Sequence, residues 1–367
     1  MISILAFLFV FGILVFIHEF GHFILAKKNG VQIEKFSFGF GRKLWSKKIG
    51  QTEYLISAIP LGGYIKMAGD EPNQELKGAP GEFLSKSCGQ RAQIVAAGPV
   101  LNYLLAFLLF SFIFIIGAPT LTTKVGEVVD DYPAQAAGLK SADQILSIDG
   151  KEVKYWDDLA EIIHQKTENQ RVILEVQRQD QVLTLGVIPR VEEHPDLFGQ
   201  KTSVGLIGIS PSEEITTLKY NVAESFYEGG KKLIQLTGLT LKSLWLVITR
   251  RLSFKESFAG PIMIFQLTGS AARMGFVSLL YLMAVLSMSL AIFNFLPVPV
   301  LDGGHLLFIS LEKLRKRPVQ PKTQELATQA GILVLVSLML LISYYDVMRS
   351  GWLDKVGEFW NSFGQGQ

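Results

Sequence analysis

The stretch Val15–Lys28, VFIHEFGHFILAKK, decides how the rest of the chain is read. It sets His18, Glu19 and His22 within five positions of a run otherwise built for lipid. A charged side chain at a bilayer centre costs on the order of 3 kcal/mol even on the mild insertion scale. Three ionisable groups retained against that penalty point to chemistry. On a helix, positions 18 and 22 lie one turn apart on one face. Two imidazoles at that spacing reach a single zinc ion, and Glu19 beside them is placed to take a proton from a water that zinc acidifies. The competing reading is a histidine pair buried in a helix bundle. A catalytic zinc takes three protein ligands and keeps one position open, so two histidines leave one ligand to be found.

The surroundings read as a membrane protein. Of 367 residues 49% are hydrophobic and 19% charged, against roughly 25% charged in soluble proteins. The apolar excess falls in blocks. Four are long enough to span a bilayer, which takes about 20 residues: Ile2 to Ala26, Ile94 to Gly117, Leu279 to Val300, and Ala330 to Tyr345, the last extending at either end. The first has no basic segment before it and no small-x-small cleavage site after it, so it reads as a retained span. A net charge of +2 offers no field for nucleic acid. The lone Cys88 excludes a disulfide framework and reads as a small buried residue. Eleven Lys or Arg lie between the first two spans, and EKLRKRPVQPK lies between the last two. By loop charge both connections are cytoplasmic, which puts the N-terminus, the segment from Ala118 to Leu279 and the C-terminal tail outside.

That long segment holds a soluble module. Val125–Val129, Gln144–Ile148, Arg171–Arg178 and Gln181–Ile188 read as strands, Trp156–Gln165 as a helix, and Val204–Ser210 as a closing strand. On YPAQAAGLKSADQILSIDGKEV (Tyr132–Val153) it resembles a PDZ domain. Ala142-Asp143 stands where many bacterial PDZ domains have Gly-Asp, so a tight turn is expected to be lost there. Ile215 to about Arg251 reads as an amphipathic helical region along the membrane surface. In the first loop, Phe36, Phe38 and Phe40 recur in period two. Tyr54–Ile59 and Tyr64–Met67 are further strands, broken by Pro60, Gly62 and Gly63.

The third ligand should sit at the depth of His18. At the cytoplasmic end of the third span lies FNFLPVPVLDGGH (Phe293–His305), where Asp302 is the one nearby acid. A carboxylate completes a two-histidine, one-acid site; the alternative for Asp302 is a helix cap, and His305 is the second choice of ligand. Pro297 and Pro299 cannot both sit in a regular helix, so this span is expected to break beside the metal, where freed backbone must line protein or a wet cavity. Asn294 has two readings, a grip on the substrate carbonyl or oxyanion and an interhelical hydrogen bond. Asn102 reads as structural.

HEFGH, AAGPVLN, the PDZ-like module and NFLPVPVLDGG, in that order over nearly the whole chain, resemble the site-2 protease family of intramembrane zinc metalloproteases. The likeness is to the bacterial regulator-of-sigma-E type, with one PDZ module rather than two. The resemblance implies that His18, His22 and Asp302 hold Zn²⁺ and that Glu19 is the catalytic acid/base. It implies an endopeptidase of the bacterial inner membrane acting on single-span membrane proteins, such as pre-cut anti-sigma factors or signal-peptide remnants. The expected architecture is a polytopic α-helical membrane protein with a small membrane-associated β-sheet and one inserted extracytoplasmic PDZ domain. Its parts are a first core half at 1–117, the PDZ domain at 118–212, a membrane-surface helical region at 213–278, a second core half at 279–349 and a tail at 350–367. An unwound substrate is expected to add as a strand along Pro60–Gly69, touching Gly62, Gly63 and Tyr64, with Pro297 and Pro299 also in contact. The PDZ domain then acts as a size filter or takes an extracytoplasmic peptide or protein. Two rival classes are a non-catalytic membrane PDZ scaffold and an ion or metal transporter; the absence of repeat symmetry argues against the latter.

Overall fold

The computed structural model describes residues 1–70, 78–167, 170–195, 201–253 and 257–349. The expected tail at 350–367 lies outside the described residues, as does Lys77 of the first loop. Along the chain run α1 (Ile2–Lys28), β1 (Ile33–Ile49), β2 (Thr52–Met67) and α2 (Cys88–Ile116). There follow β3 (Ala118–Leu121), β4 (Val125–Val128), α3 (Pro133–Ala136), β5 (Gln144–Ile148), β6 (Lys151–Glu152), α4 (Trp156–His164), β7 (Val172–Arg178), β8 (Gln181–Val187), β9 (Arg190–Pro195), β10 (Lys201–Leu206), β11 (Ile209–Pro211) and β12 (Ile215–Leu218). The chain then forms α5 (Val222–Ile248), α6 (Pro261–Met274), α7 (Phe276–Asn294), α8 (Asp302–Arg315) and α9 (Pro321–Arg349). Four of these, α1, α2, α7 and α9, are long and apolar enough to cross a membrane.

The described residues of Met1–Phe112 and of 226–349 form one compact unit. In α1 the buried positions Ala6, Val10, Leu14, His18 and His22 recur every four residues, so the histidines continue the stripe that packs inward. The sheet of β1 and β2 lies on this helix through aromatics: Phe23 meets Phe36 at 4.7 Å and Phe16 meets Phe38 at 5.9 Å between ring centres. The expected break at Pro60, Gly62 and Gly63 does not divide β2. It runs unbroken, and Phe36 pairs with both Tyr54 and Ile65, so the two halves of β2 flank β1. The irregular residues act as a bend that brings the second half round. The third span ends at Asn294 and the chain restarts as helix at Asp302, because Pro297 and Pro299 withhold backbone donors. At the far end of α8, Glu312 is paired with Arg91 of α2 at 2.5 Å. In α9 the buried Asp346 accepts the Gly260 and Met263 backbone N–H groups, capping the start of α6.

Ile113–Ser225 form the second unit. Its four-stranded sheet has the order β6-β5-β7-β8. Val172, Leu174 and Val176 point into a core with Ile145, Ile148, Leu159 and Ile163, the period-two and period-four patterns of a strand and an amphipathic helix. Ile215–Leu218, expected to be helical, is instead β12, hydrogen-bonded antiparallel to β3. Its Ile-Thr-Thr-Leu sequence is β-branched, and the helix begins only at Val222. The expected closing strand at Val204–Ser210 is split into β10 and β11, with Gly208 in the left-handed region between them. The turn at Ala142-Asp143 is not lost. Ala142 adopts φ +70°, a left-handed conformation that costs a residue with a Cβ about 1 kcal/mol.

Asp143 holds that turn. Its carboxylate accepts two hydrogen bonds from Arg178, at 2.8 and 2.7 Å, and one from the Lys140 N–H at 2.8 Å. Burial pushes this carboxyl up, and the Arg178 hydrogen bonds outweigh it, holding it below the usual carboxylate range. A depressed folded-state pKa contributes stability that is present above the unfolded value, about 3.9, and is lost as pH falls through the folded one. Hydrogen exchange on the full-length chain, corrected for the intrinsic pH dependence, should therefore show the β5 and β7 amides losing protection below about pH 4. Asp143→Asn should give roughly tenfold less protection already at neutral pH.

Candidate metal centre

Three side chains from two helices meet at one point. His18 and His22 come from α1, and Asp302 is the first residue of α8. His18 Nε2 lies 3.1 Å from Asp302 Oδ2, His22 Nε2 lies 3.6 Å from Asp302 Oδ1, and the two Nε2 atoms are 3.2 Å apart. One ligand atom from each residue falls within 4.8 Å of the others. His305, exposed one turn along α8, lies outside this cluster.

Asp302 reaches the point because the chain between α7 and α8 folds back on itself. Leu301 N–H bonds the Val298 carbonyl at 3.0 Å, and Gly304 N–H bonds the Leu301 carbonyl at 2.9 Å. The carbonyls of Leu296 and Val298 lie where side chains on Gly303 and Gly304 would go. The cap position of this helix is Leu301, which makes no side-chain capping bond, and Asp302 stands one residue inside, where a helix start favours a carboxylate. Its Oδ2 is buried with no hydrogen-bond partner. A buried carboxylate oxygen lacking a donor calls for a cation, and two imidazole nitrogens plus one carboxylate are a catalytic-zinc donor set. The residues present fit zinc.

The second span supports the histidines from behind. His22 Nδ1 is 2.9 Å from the Ile94 carbonyl. A carbonyl only accepts, so Nδ1 carries the hydrogen and Nε2 presents its lone pair to the cluster. Asn102, fully buried, sets its Nδ2 3.3 Å from His18 Nδ1. Its backbone carbonyl accepts the Ser287 Oγ–H of α7 at 2.8 Å. Gly98 faces both rings: a Cβ there would collide with His22 Nε2 and sit 2.9 Å from His18 Cε1. Gly21 of α1 abuts the Ala97 carbonyl in the same way, the close backbone approach that small residues permit between membrane helices. The Ile94 carbonyl leaves no mark in a sequence. Gly98 and Asn102 were visible only as a Gly-Pro pair and one amide in an apolar run.

Glu19 lies on α1 between the two histidines, and the Ile65 backbone N–H faces its carboxylate. Gly63 sits against the Ser37 carbonyl, and a Cβ there would lie 3.6 Å from Glu19 Cγ. Tyr64 stacks on Phe40 at 6.4 Å, and the Phe40 ring fills the space where a Gly62 side chain would lie. Pro297 and Pro299 occupy the segment just before Asp302. Asn294 ends α7, half-buried.

Known proteins resemble this chain in sequence. The profile of peptidase family M50 matches residues 6–338. A candidate zinc metalloprotease of Rhizobium meliloti is 35% identical over 362 residues, 94% of this chain and 96% of that one. Protease RseP of Yersinia pestis is 30% identical over 447 aligned positions, 95% of this chain and 98% of its own. That alignment is longer than this chain, so the Yersinia protein carries inserted sequence. The PDZ domain of an SdrC-like protein of Listeria innocua covers 25% of this chain and 96% of its own at 24% identity, with a TM-score of 0.21, too low to establish the fold of the second unit. With a His-His-Asp cluster set among membrane-length helices, the chain belongs to peptidase family M50, the site-2 protease family, and is a zinc-dependent intramembrane metalloprotease.

Proposed function

We propose that this protease cleaves the membrane-spanning segment of single-span membrane proteins, with His18, His22 and Asp302 as zinc ligands and Glu19 as general base and acid. The carrying observation is the convergence of the three side chains around an Asp302 oxygen that has no other partner. Zinc, when bound, supplies Lewis-acid polarisation of a carbonyl and lowers the pKa of a water to about 7. The chain's own groups do the rest. The Glu19 carboxylate takes the proton of the attacking water and returns it to the leaving amine. The Ile65 N–H keeps that carboxylate aimed. The Asn294 amide, at the end of α7, grips the substrate carbonyl.

A helical substrate has every carbonyl hydrogen-bonded and must be unwound first. Residues 63–67 of β2 pair with β1 on one side, and among the described residues no strand pairs on their other side. This open edge runs past Glu19 at Gly63. A substrate strand added there contacts Gly62, Gly63 and Tyr64, and Pro297 and Pro299 face it from the segment before Asp302. Loop charge supports an N-terminus and a 118–279 segment outside the cytoplasm. The 118–212 region is read as a PDZ domain on its Tyr132–Val153 motif and its sheet-plus-helix core. A groove of about 300 Å³ lined by Trp156, Leu159, Ile163 and residues 206–209 supports its taking an extracytoplasmic peptide or filtering substrates by size. The 213–278 region is read as a surface-lying connection between the core halves 1–117 and 279–349.

Purified in detergent, the chain should carry about one zinc and cut a peptide containing one membrane-spanning segment. Stripping with a chelator should abolish cleavage, and added zinc should restore it. Cleavage that survives complete stripping overturns the reading. So does a zinc-loaded chain that cuts no membrane segment.

A further inference from the structure

We propose that Asn102 is a positioning residue that sets the tautomer of His18 through the orientation of its side-chain amide. The inference rests on the ligand assignment above and goes beyond it. The two histidines are held from behind by different chemistry. His22 Nδ1 faces a backbone carbonyl, 2.9 Å away, which can only accept, so that ring has one tautomer. His18 Nδ1 faces an amide, 3.3 Å away, which donates from one end and accepts at the other.

With Nδ2 toward the ring, His18 Nδ1 accepts, and the ring hydrogen sits on Nε2. That nitrogen is 3.2 Å from His22 Nε2, whose lone pair accepts the hydrogen. With Oδ1 toward the ring, Nδ1–H donates to it, and Nε2 turns a bare lone pair to the cluster. The second arrangement is the one a metal ligand requires. The two amide orientations have the same shape, so packing does not choose between them. Asn102 Oδ1 is buried without a partner when Nδ2 faces the ring, and the half-turn gives it one. The backbone does not shift in that turn, because Ser287 holds the Asn102 carbonyl at 2.8 Å and Gly98, one helical turn earlier, is pressed against both rings. Asn102 thereby lets one buried site satisfy two states: His18 bonded to His22, or His18 free to bind zinc.

The test is zinc affinity of the full-length chain in detergent, by competition with a chromophoric chelator, with cobalt substitution as a spectroscopic check. Asn102→Leu and Asn102→Ala should each bind zinc about 10- to 100-fold more weakly than wild type, with an altered cobalt spectrum. Asn102→Asp, whose carboxylate only accepts from Nδ1–H, should bind at least as tightly as wild type. If the leucine variant fails to fold, the alanine variant carries the comparison. Leucine and alanine variants within about twofold of wild type overturn the inference; so does an aspartate variant as weak as the leucine one, which marks a packing role. A wild-type chain that takes up no zinc fails at an earlier step and sinks the ligand assignment itself.

Discussion

Glu19→Gln should leave zinc content unchanged and cut peptide hydrolysis by about 10²- to 10⁴-fold. The substitution is nearly isosteric, and Glu19 stands outside the His18, His22 and Asp302 cluster, so the donor set keeps its geometry. The neighbours of position 19 also persist: the Ile65 N–H finds an amide oxygen in place of a carboxylate oxygen, and Gly63 still abuts the side chain. What disappears is the carboxylate proposed to carry a proton between water and leaving amine. Metal analysis and single-turnover cleavage of a model membrane peptide, run on the same preparations, separate the two effects. A variant that keeps more than about a tenth of the rate removes Glu19 from the proton-transfer step. A variant that loses its zinc shows that position 19 holds the site together. The rival classes differ in kind: a scaffold has no zinc to keep, and a transporter has no cleavage to lose.

The centre was legible in the sequence to the extent that it is made of side chains with periodic placement. Two histidines one turn apart, an acid at matching depth and a span interrupted by two prolines were enough to bring α1 and the start of α8 together. The support of the centre was not legible, because much of it is backbone. The Ile94 carbonyl that orients His22 belongs to an ordinary isoleucine, and the role of Gly98 is an absence of atoms. Asn102 looked structural since one amide in an apolar span has many uses, and only its 3.3 Å approach to His18 distinguishes them. Asp346, an acid at the end of the last span, escaped notice because its partners are backbone N–H groups far off in sequence. Elsewhere local signals gave way to pairing. Gly and Pro in β2 read as a break and form a bend, and Ile215–Leu218 read as helix until a partner strand claimed it. At Ala142 the turn outlasted the loss of its customary glycine, held by the Asp143 carboxylate and its three hydrogen bonds.

Gly98→Ala should cost the chain its zinc. Alanine normally favours a helix over glycine by about 1 kcal/mol, so on propensity alone the change is stabilising. The steric argument runs the other way and is larger. The added methyl would occupy the space of His22 Nε2, one of the proposed ligand atoms, and press on His18 Cε1. The second span cannot simply recede, because its approach to the first is fixed one residue away, where Gly21 meets the Ala97 carbonyl. Recession would also stretch the His22–Ile94 and His18–Asn102 contacts. The rings must therefore turn, and losing the orientation of a metal-bound histidine costs about 10- to 100-fold in affinity. With both rings displaced, the loss should reach at least about 100-fold, and cleavage should vanish at ordinary zinc concentrations. Gly89→Ala in the same helix is the control. A Cβ there meets nothing within 4 Å, so zinc binding and cleavage should stay at wild-type levels. Equal zinc affinity in the two variants would mean that the second span does not press on the histidines, and the account of how this centre is held would be wrong.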